Sequence, residues 1–142
     1  MTDATTTPYG TFLLRLALGF MFVAHALLKY FVFTLPGTAK FFASIGLPDW
    51  LGPVVFLAEL GGGILLIAGI YARVVALALV PVLLGATWAH AGNGWVFSAQ
   101  GGGWEYPLFL TVAALAQVLL GDGAFALKPT PAAFIRPLPH AS

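Results

Sequence analysis

Four long runs of apolar residues alternate with short segments that contain glycine, proline or charged residues. The runs extend from Phe12 to Leu35, Pro53 to Tyr71, Val74 to His90 and Tyr106 to Phe125. A helix needs about 20 mostly apolar residues to cross a hydrocarbon layer roughly 30 Å thick. The pattern therefore predicts an all-α membrane protein, a four-transmembrane-helix bundle at residues 12–127, with tails at 1–11 and 128–142.

The three segments between the runs predict different structures. Residues 36–48 are too few to span a bilayer, and Phe41, Phe42 and Ile45 would share one side of a helix there. We expect a short amphipathic helix at the membrane interface. The second and third runs are almost contiguous, which predicts a tight antiparallel hairpin. Residues 91–104 are rich in glycine and predict a flexible, aromatic surface loop.

The composition supports lipid as the solvent and removes several classes of function. Of all residues, 60% are hydrophobic and 8% are charged, whereas a soluble domain has about 25% charged residues. The net charge of +1 and the scattered Lys and Arg residues exclude a nucleic-acid-binding protein. The chain has no cysteine, so disulfides, thiolate metal sites and cysteine-bound iron–sulfur clusters are also excluded.

The basic residues near the ends of the runs predict the orientation in the membrane. Arg15, Arg73, Lys128 and Arg136 fall on one side of the predicted bundle, and Lys40 falls on the other. Cytoplasmic segments carry an excess of Lys and Arg. We therefore expect both termini to be cytoplasmic.

Ionisable residues inside the runs mark a candidate site, because a charge within the membrane costs at least about 2.5 kcal/mol and normally has a partner. Lys29 and Glu59 lie at a similar depth, about 9 Å from the same predicted surface, so we expect an ion pair between them. The other ionisable residues in this half of the bundle are His25, His90 and Glu105. The predicted ligand-binding residues are thus His25, Lys29, Glu59, His90 and Glu105.

Each of these residues also has a simpler interpretation. The pair of Lys29 and Glu59 could fix helix register without any chemistry, or it could line a polar pocket for a ligand head group. The two histidines could hydrogen-bond a neighbouring helix, or they could bind a ligand, a proton or a metal. No metal site is assigned, because the sequence fixes no distances between the candidate ligands. At the opposite end, Arg15, Arg73 and Asp122 predict ordinary charge pairing at the interface.

Five groups of short motifs have an order and spacing typical of one protein family. They are Arg15-Leu16 with Gly19, Phe22, His25 and Lys29; Ile45-Gly46-Leu47-Pro48; Ala58-Glu59-Leu60-Gly61-Gly62-Gly63 with Leu65, Leu66, Gly69 and Arg73; Gly102-Gly103-Trp104-Glu105-Tyr106-Pro107; and Gly121-Asp122-Gly123. From about Phe12 to Leu127, the chain resembles the DoxX family of small four-helix membrane proteins. It departs from the family pattern at Ala26, where relatives often have glycine, and at Asp122, where proline is common.

The resemblance implies a role in membrane redox chemistry, since the family is named for a subunit of a thiosulfate and quinone oxidoreductase system. In this hypothesis the chain is a subunit in the bacterial plasma (inner) membrane that provides a quinone or quinol pocket or an anchor. No haem, iron–sulfur or flavin motif is visible, so electrons would come from a redox-enzyme partner subunit or a bound cofactor. The alternatives are a small-solute or lipid-binding or transport protein and a purely structural subunit. Membrane lipid and a homo-oligomer are the other partners considered.

Overall fold

The structure, a computed structural model, describes residues 3–134 and is built of helices and their connections. Helix α1 extends over Thr7–Leu27 and continues as a π-helical turn over Leu28–Val32. The other helices are α2 at Leu35–Ser44, α3 at Leu51–Ala68, α4 at Ala72–His90 and α5 at Glu105–Leu120. Single 3-10 turns lie at Ala91–Asn93 and Ala132–Phe134.

Three helical segments are long and apolar enough to cross a membrane. They are Thr7–Val32, Leu51–Ala68 and Ala72–Asn93. The fourth apolar helix, α5, has only 16 residues, roughly 24 Å at 1.5 Å per residue. It ends before the predicted run ends because Gly121 adopts a φ of 97°, which glycine tolerates but a helix does not. The chain turns back at this point.

The four apolar helices form a ring in the order α1, α3, α4, α5. The closest packing is between α1 and α3 and between α4 and α5. The predicted hairpin of α3 and α4 is confirmed, since only three residues separate these helices. Gly69 closes α3 in a left-handed conformation with a φ of 70°, and the following Ile70 N–H donates to Leu65 O at 3.0 Å. Buried apolar side chains fill the centre of the ring, including Leu18, Phe22, Leu66, Leu79, Leu83 and Leu110.

Two glycines allow α1 and α3 to approach closely. A Cβ atom on Gly19 would lie 2.9 Å from the carbonyl oxygen of Gly63, and a Cβ on Gly63 would lie 2.8 Å from that of Gly19. Small residues at such crossings let helix backbones pack against each other in a membrane. This contact fixes the position of Glu59 on α3 relative to Lys29, which lies on the π-helical turn that continues α1.

The segment between the first two spans contains a helix, α2, which begins at Leu35. Thr34 starts it, because the Thr34 side chain accepts a hydrogen bond from the Gly37 N–H at 3.2 Å. Thr38 is buried against the end of α1, and its hydroxyl lies 3.4 Å from Lys29 O and 2.9 Å from Thr34 O. Helix α2 thereby supports the π-helical turn that carries Lys29.

After α5, residues 121–130 form a strap across the end of the bundle where α1 begins. Ala124 N–H donates to Pro8 O at 2.9 Å, and Lys128 N–H donates to Gly69 O at 3.0 Å. Tyr71 N–H donates to Lys128 O at 2.8 Å. The strap therefore joins the start of α1 to the turn between α3 and α4.

Candidate functional site

Lys29 and Glu59 form the ion pair that the sequence predicts. Lys29 Nζ lies 2.7 Å from Glu59 Oε2, and the two side chains are 18% and 8% exposed. The π-helical turn places Lys29, since Phe33 N–H donates to Leu28 O at 3.0 Å, five residues back instead of four. Such turns widen a helix locally and occur often at functional sites. The π-helical turn thus positions Lys29 for the ion pair, and the pair is largely shielded from solvent.

His25 lies one helical turn before Lys29 and has a defined hydrogen bond. His25 Nδ1 lies 2.7 Å from Met21 O. Because a carbonyl oxygen only accepts, Nδ1 must carry the proton, and in the neutral ring Nε2 is then a proton acceptor. None of the described residues hydrogen-bonds Nε2. The ring also stacks on Tyr106, with 5.9 Å between ring centroids and 25° between the planes.

Tyr106 is a site residue that the sequence interpretation missed. Its hydroxyl oxygen is buried and has no hydrogen-bond partner among the described residues. A buried polar group without a partner is uncommon and costs about 1–3 kcal/mol. The sequence feature that could have indicated this role is a tyrosine between Glu105 and Pro107 at the start of an apolar helix. The sequence analysis places Tyr106 at the start of a span and within a family motif, but not among the ligand-binding residues.

A cavity of about 370 Å³ connects these groups. It is lined by Met21, Phe22, His25, Lys29, Glu59, Val82, Leu83, Ala86, His90, Phe97, Gly102, Gly103, Tyr106, Pro107 and Leu110. Four of the five predicted site residues, His25, Lys29, Glu59 and His90, therefore face one space. Most of the wall is apolar, and the polar groups occupy a few positions within it.

Glu105, the fifth predicted residue, does not line the cavity. Its Oε1 accepts a hydrogen bond from the Phe97 N–H at 2.9 Å. His90 Nδ1 lies 3.0 Å from Gly101 O, and Asn93 Nδ2 donates to the same oxygen at 3.1 Å. The loop that we expected to be flexible is therefore tied at both ends. It contributes Phe97 and two glycines to the cavity wall, and Glu105 holds it in place.

The family model for DoxX matches residues 10–92. The chain belongs to the DoxX family. A protein of Bacillus subtilis (strain 168) named "Putative oxidoreductase CatD" is 40% identical over 77 residues, which cover 54% of this chain and 56% of that protein. The chain thus spans about half the length of this relative. No solved structure is a significant match.

The matched segment of this DoxX membrane protein contains most of the polar groups of the cavity. His25, Lys29, Glu59 and His90 fall within residues 10–92, whereas Tyr106 and the whole of α5 lie beyond them. Within residues 3–134, no group of three His, Asp or Glu side chains is arranged to hold a metal ion. The polar side chains of the cavity can take part in hydrogen bonding, charge pairing and proton exchange.

A second polar cluster of the DoxX chain lies at the opposite end of the bundle, and it differs from the expected charge pairing. The Arg15 side chain is 0% exposed and donates to the backbone oxygens of Asp122 at 2.9 Å and Ala124 at 3.1 Å. The Asp122 carboxylate instead accepts from the backbone N–H and hydroxyl of Thr130, at 2.9 and 2.8 Å. Among the described residues, Lys29 and Glu59 form the only ion pair within 4.0 Å. The prediction of charge pairing among Arg15, Arg73 and Asp122 was wrong, because the strap supplies backbone hydrogen-bond acceptors that hydropathy does not reveal.

Proposed function

We propose that this DoxX protein is a membrane subunit of a bacterial oxidoreductase system and that its cavity binds the head group of a quinone or quinol. The observation that carries the proposal is the buried Tyr106 hydroxyl, which has no hydrogen-bond partner among residues 3–134 and belongs to a residue of the cavity wall. The family membership and the oxidoreductase name of the Bacillus subtilis relative support the redox setting.

The proposed site requires α5 to be a fourth span beside the other three. Arg73 and Lys128 lie at the end of the bundle where α1 begins, and Lys40 lies on α2 near the other end. Cytoplasmic segments are enriched in basic residues, so we place both termini in the cytoplasm and α2 at the outer interface of the plasma (inner) membrane. Arg136, which the orientation prediction also used, lies outside the described residues.

The residues of the cavity fit a quinone head group in size and in chemistry. The cavity volume of about 370 Å³ lies within the range of roughly 300–1,000 Å³ that is common for small-ligand sites. Phe22, Leu83 and Leu110 offer apolar walls for a ring. Tyr106 Oη and Lys29 Nζ can donate to ring oxygens. A bound quinone would supply two-electron redox chemistry in which its oxygens gain or lose protons.

The side chains of the site have distinct roles in this proposal. His25 Nδ1 is occupied by Met21 O, so Nε2 is the position that takes up or releases a proton. Stacking on Tyr106 keeps the imidazole plane in place. Glu59 holds the charge of Lys29 within a largely buried environment, which keeps the ammonium available as a donor. In this proposal the electrons come from a redox-enzyme partner subunit or are exchanged by a bound cofactor.

Two other functions make different predictions for the same residues. The ion pair at 2.7 Å is already satisfied within the protein, as in a pair that only fixes helix packing. A structural subunit or simple anchor would therefore leave the cavity without a ligand. A small-solute or lipid-binding protein would use the cavity for a head group that is not a quinone.

The experiment compares two tyrosine variants and one double variant. Tyr106→Phe removes the buried hydroxyl, whereas Tyr30→Phe is the matched control, because Tyr30 is 51% exposed and packs on Phe56 outside the cavity. Loss of one hydrogen bond of about 1 kcal/mol weakens binding about fivefold. We expect Tyr106→Phe to copurify with about fivefold less quinone, and Tyr30→Phe to match the unaltered protein.

The double variant tests the ion pair without leaving a single buried charge. Lys29→Met combined with Glu59→Gln should give a folded, membrane-inserted protein that retains little quinone and does not support quinol oxidation by the membranes. Quinone content is measured by extraction, and folding by thermal denaturation in detergent. Unchanged quinone retention and quinol oxidation in both Tyr106→Phe and a stable double variant would refute the site. Full retention of a lipid or solute with no quinone would favour the binding function.

A further inference from the structure

Arg73 has an unusual position at the end of the bundle opposite the cavity. It is the second residue of α4, and its side chain passes Gly121 so closely that a Cβ there would lie 2.6 Å from Arg73 Nη2. Its Nε is buried and has no hydrogen-bond partner among residues 3–134, and no described carboxylate lies within 4.0 Å of its guanidinium. The structure thus gives this cation no direct ion partner among the described residues.

The carboxylate of Asp122, which lies beside the Arg73 backbone, is hydrogen-bonded mainly to another residue. The Asp122 side chain accepts two hydrogen bonds from Thr130, and it reaches Arg73 only through the backbone N–H at 3.4 Å. The other acid at this end, Asp3, accepts from the Thr5 N–H at 2.8 Å. Neither carboxylate acts as an ion partner for the arginine in the part of the chain that the structure describes.

Two further cations lie around the same strap. Arg15 is fully buried and contacts the backbone of Asp122 and Ala124, and its own Nε has no partner among the described residues. Lys128 is exposed and lies with its Nζ 5.0 Å from the centroid of the Tyr71 ring. The positive end of the α4 helix dipole adds to this field. The region therefore favours an anion.

We infer that Arg73, with Arg15 and Lys128 around it, binds the phosphate group of an anionic phospholipid at this end of the bundle. The end of a membrane-spanning helix lies at the depth of the lipid head groups. A guanidinium can donate two parallel hydrogen bonds to phosphate oxygens, which an ammonium cannot do. The proposal does not depend on the function of the cavity.

Native mass spectrometry of the purified protein tests this site, with phosphatidylglycerol and phosphatidylcholine as the two lipids added. We expect the protein to retain phosphatidylglycerol in preference to phosphatidylcholine. Arg73→Gln should weaken the retention of phosphatidylglycerol about fivefold, which is the loss expected when one basic residue is removed at a membrane surface. Lys40→Gln is the matched control, because it removes the same charge from an exposed residue of α2 at the other end. This control should retain the lipid fully.

Arg73→Lys separates a specific phosphate site from general attraction. It should also lose phosphatidylglycerol, because charge alone does not replace the two-pronged contact. If Arg73→Gln does not fold, this variant decides the question by itself. Unchanged retention in the Arg73 variants, or an equal loss in Lys40→Gln, would overturn the site. Displacement of the lipid by an equal concentration of inorganic phosphate would assign the site to free phosphate and reject the lipid.

Discussion

The three consecutive glycines of α3 provide a graded test of the helix packing. A Cβ on Gly63 would lie 2.8 Å from Gly19 O and 2.8 Å from Val23 Cγ2. A Cβ on Gly62 would lie 2.7 Å from Leu79 Cδ1, and one on Gly61 would meet nothing within 4 Å. The same substitution, glycine to alanine, therefore meets a backbone, a side chain and open space at three successive positions.

The expected changes in the free energy of unfolding follow from these contacts. Gly63→Ala should destabilise the protein by about 1–3 kcal/mol, the usual cost of overpacking, because the α1 backbone must move away. Gly62→Ala should cost less, because the end of the Leu79 side chain can rotate. Gly61→Ala should be neutral or stabilising by up to about 1 kcal/mol, since alanine is the better helix former.

The assay is unfolding in detergent, followed by the fluorescence of the tryptophans, with the three variants measured side by side. The order of stability should be Gly61→Ala, then Gly62→Ala, then Gly63→Ala. Equal destabilisation by Gly61→Ala and Gly63→Ala would refute the close crossing of α1 and α3. A neutral Gly63→Ala would do the same. Tryptophan spectra that match those of the unaltered protein before unfolding would exclude a general rearrangement.

Two further predictions concern the buried charges at the two ends of the bundle. Glu59→Gln alone should lower the free energy of unfolding by about 2–4 kcal/mol, towards the lower part of the range for a broken buried pair because Lys29 is 18% exposed. Adding Lys29→Met should recover most of that stability in thermal denaturation. If it does not, the two residues do not act as an isolated ion pair. Arg15→Met should release the strap by removing two hydrogen bonds to its backbone, each worth about 1.5–3 kcal/mol. Chymotrypsin should then cleave faster after Phe125, as measured by mass spectrometry, whereas an unchanged cleavage rate would show that Arg15 does not hold the strap.

Some features of this protein follow from the sequence because they depend on periodicity along one chain. A run of apolar residues must satisfy its backbone polar groups internally in lipid, so it forms a helix whatever its neighbours are. The rise per residue in a helix then sets the depth of each side chain. Lys29 and Glu59 could be paired on these grounds, since a buried charge requires a partner. His25 and His90 were placed in the same half of the bundle by the same reasoning.

Other features depended on contacts between segments distant in the sequence. Glu105 has the right depth, but it turns towards the Phe97 N–H, because the geometry of a loop decides where its side chains point. Tyr106 is a site residue because its ring stacks on His25 and its buried hydroxyl has no partner in the part of the chain that the structure describes. An aromatic residue at the start of a membrane helix more often marks the interface, so its type alone does not indicate a site.

The ends of the bundle show most clearly where information from the sequence stops. The run of apolar residues continues past Leu120, but the backbone conformation at Gly121 ends α5, and the strap then crosses the end of the bundle. The strap then supplies the carbonyl oxygens that Arg15 contacts. The sequence by itself determined the apolar helices and the depth of their charges, because both follow from local geometry. The tertiary structure alone decided which acceptor each charge reaches, because hydrogen bonds are short and directional and depend on the final position of every neighbour.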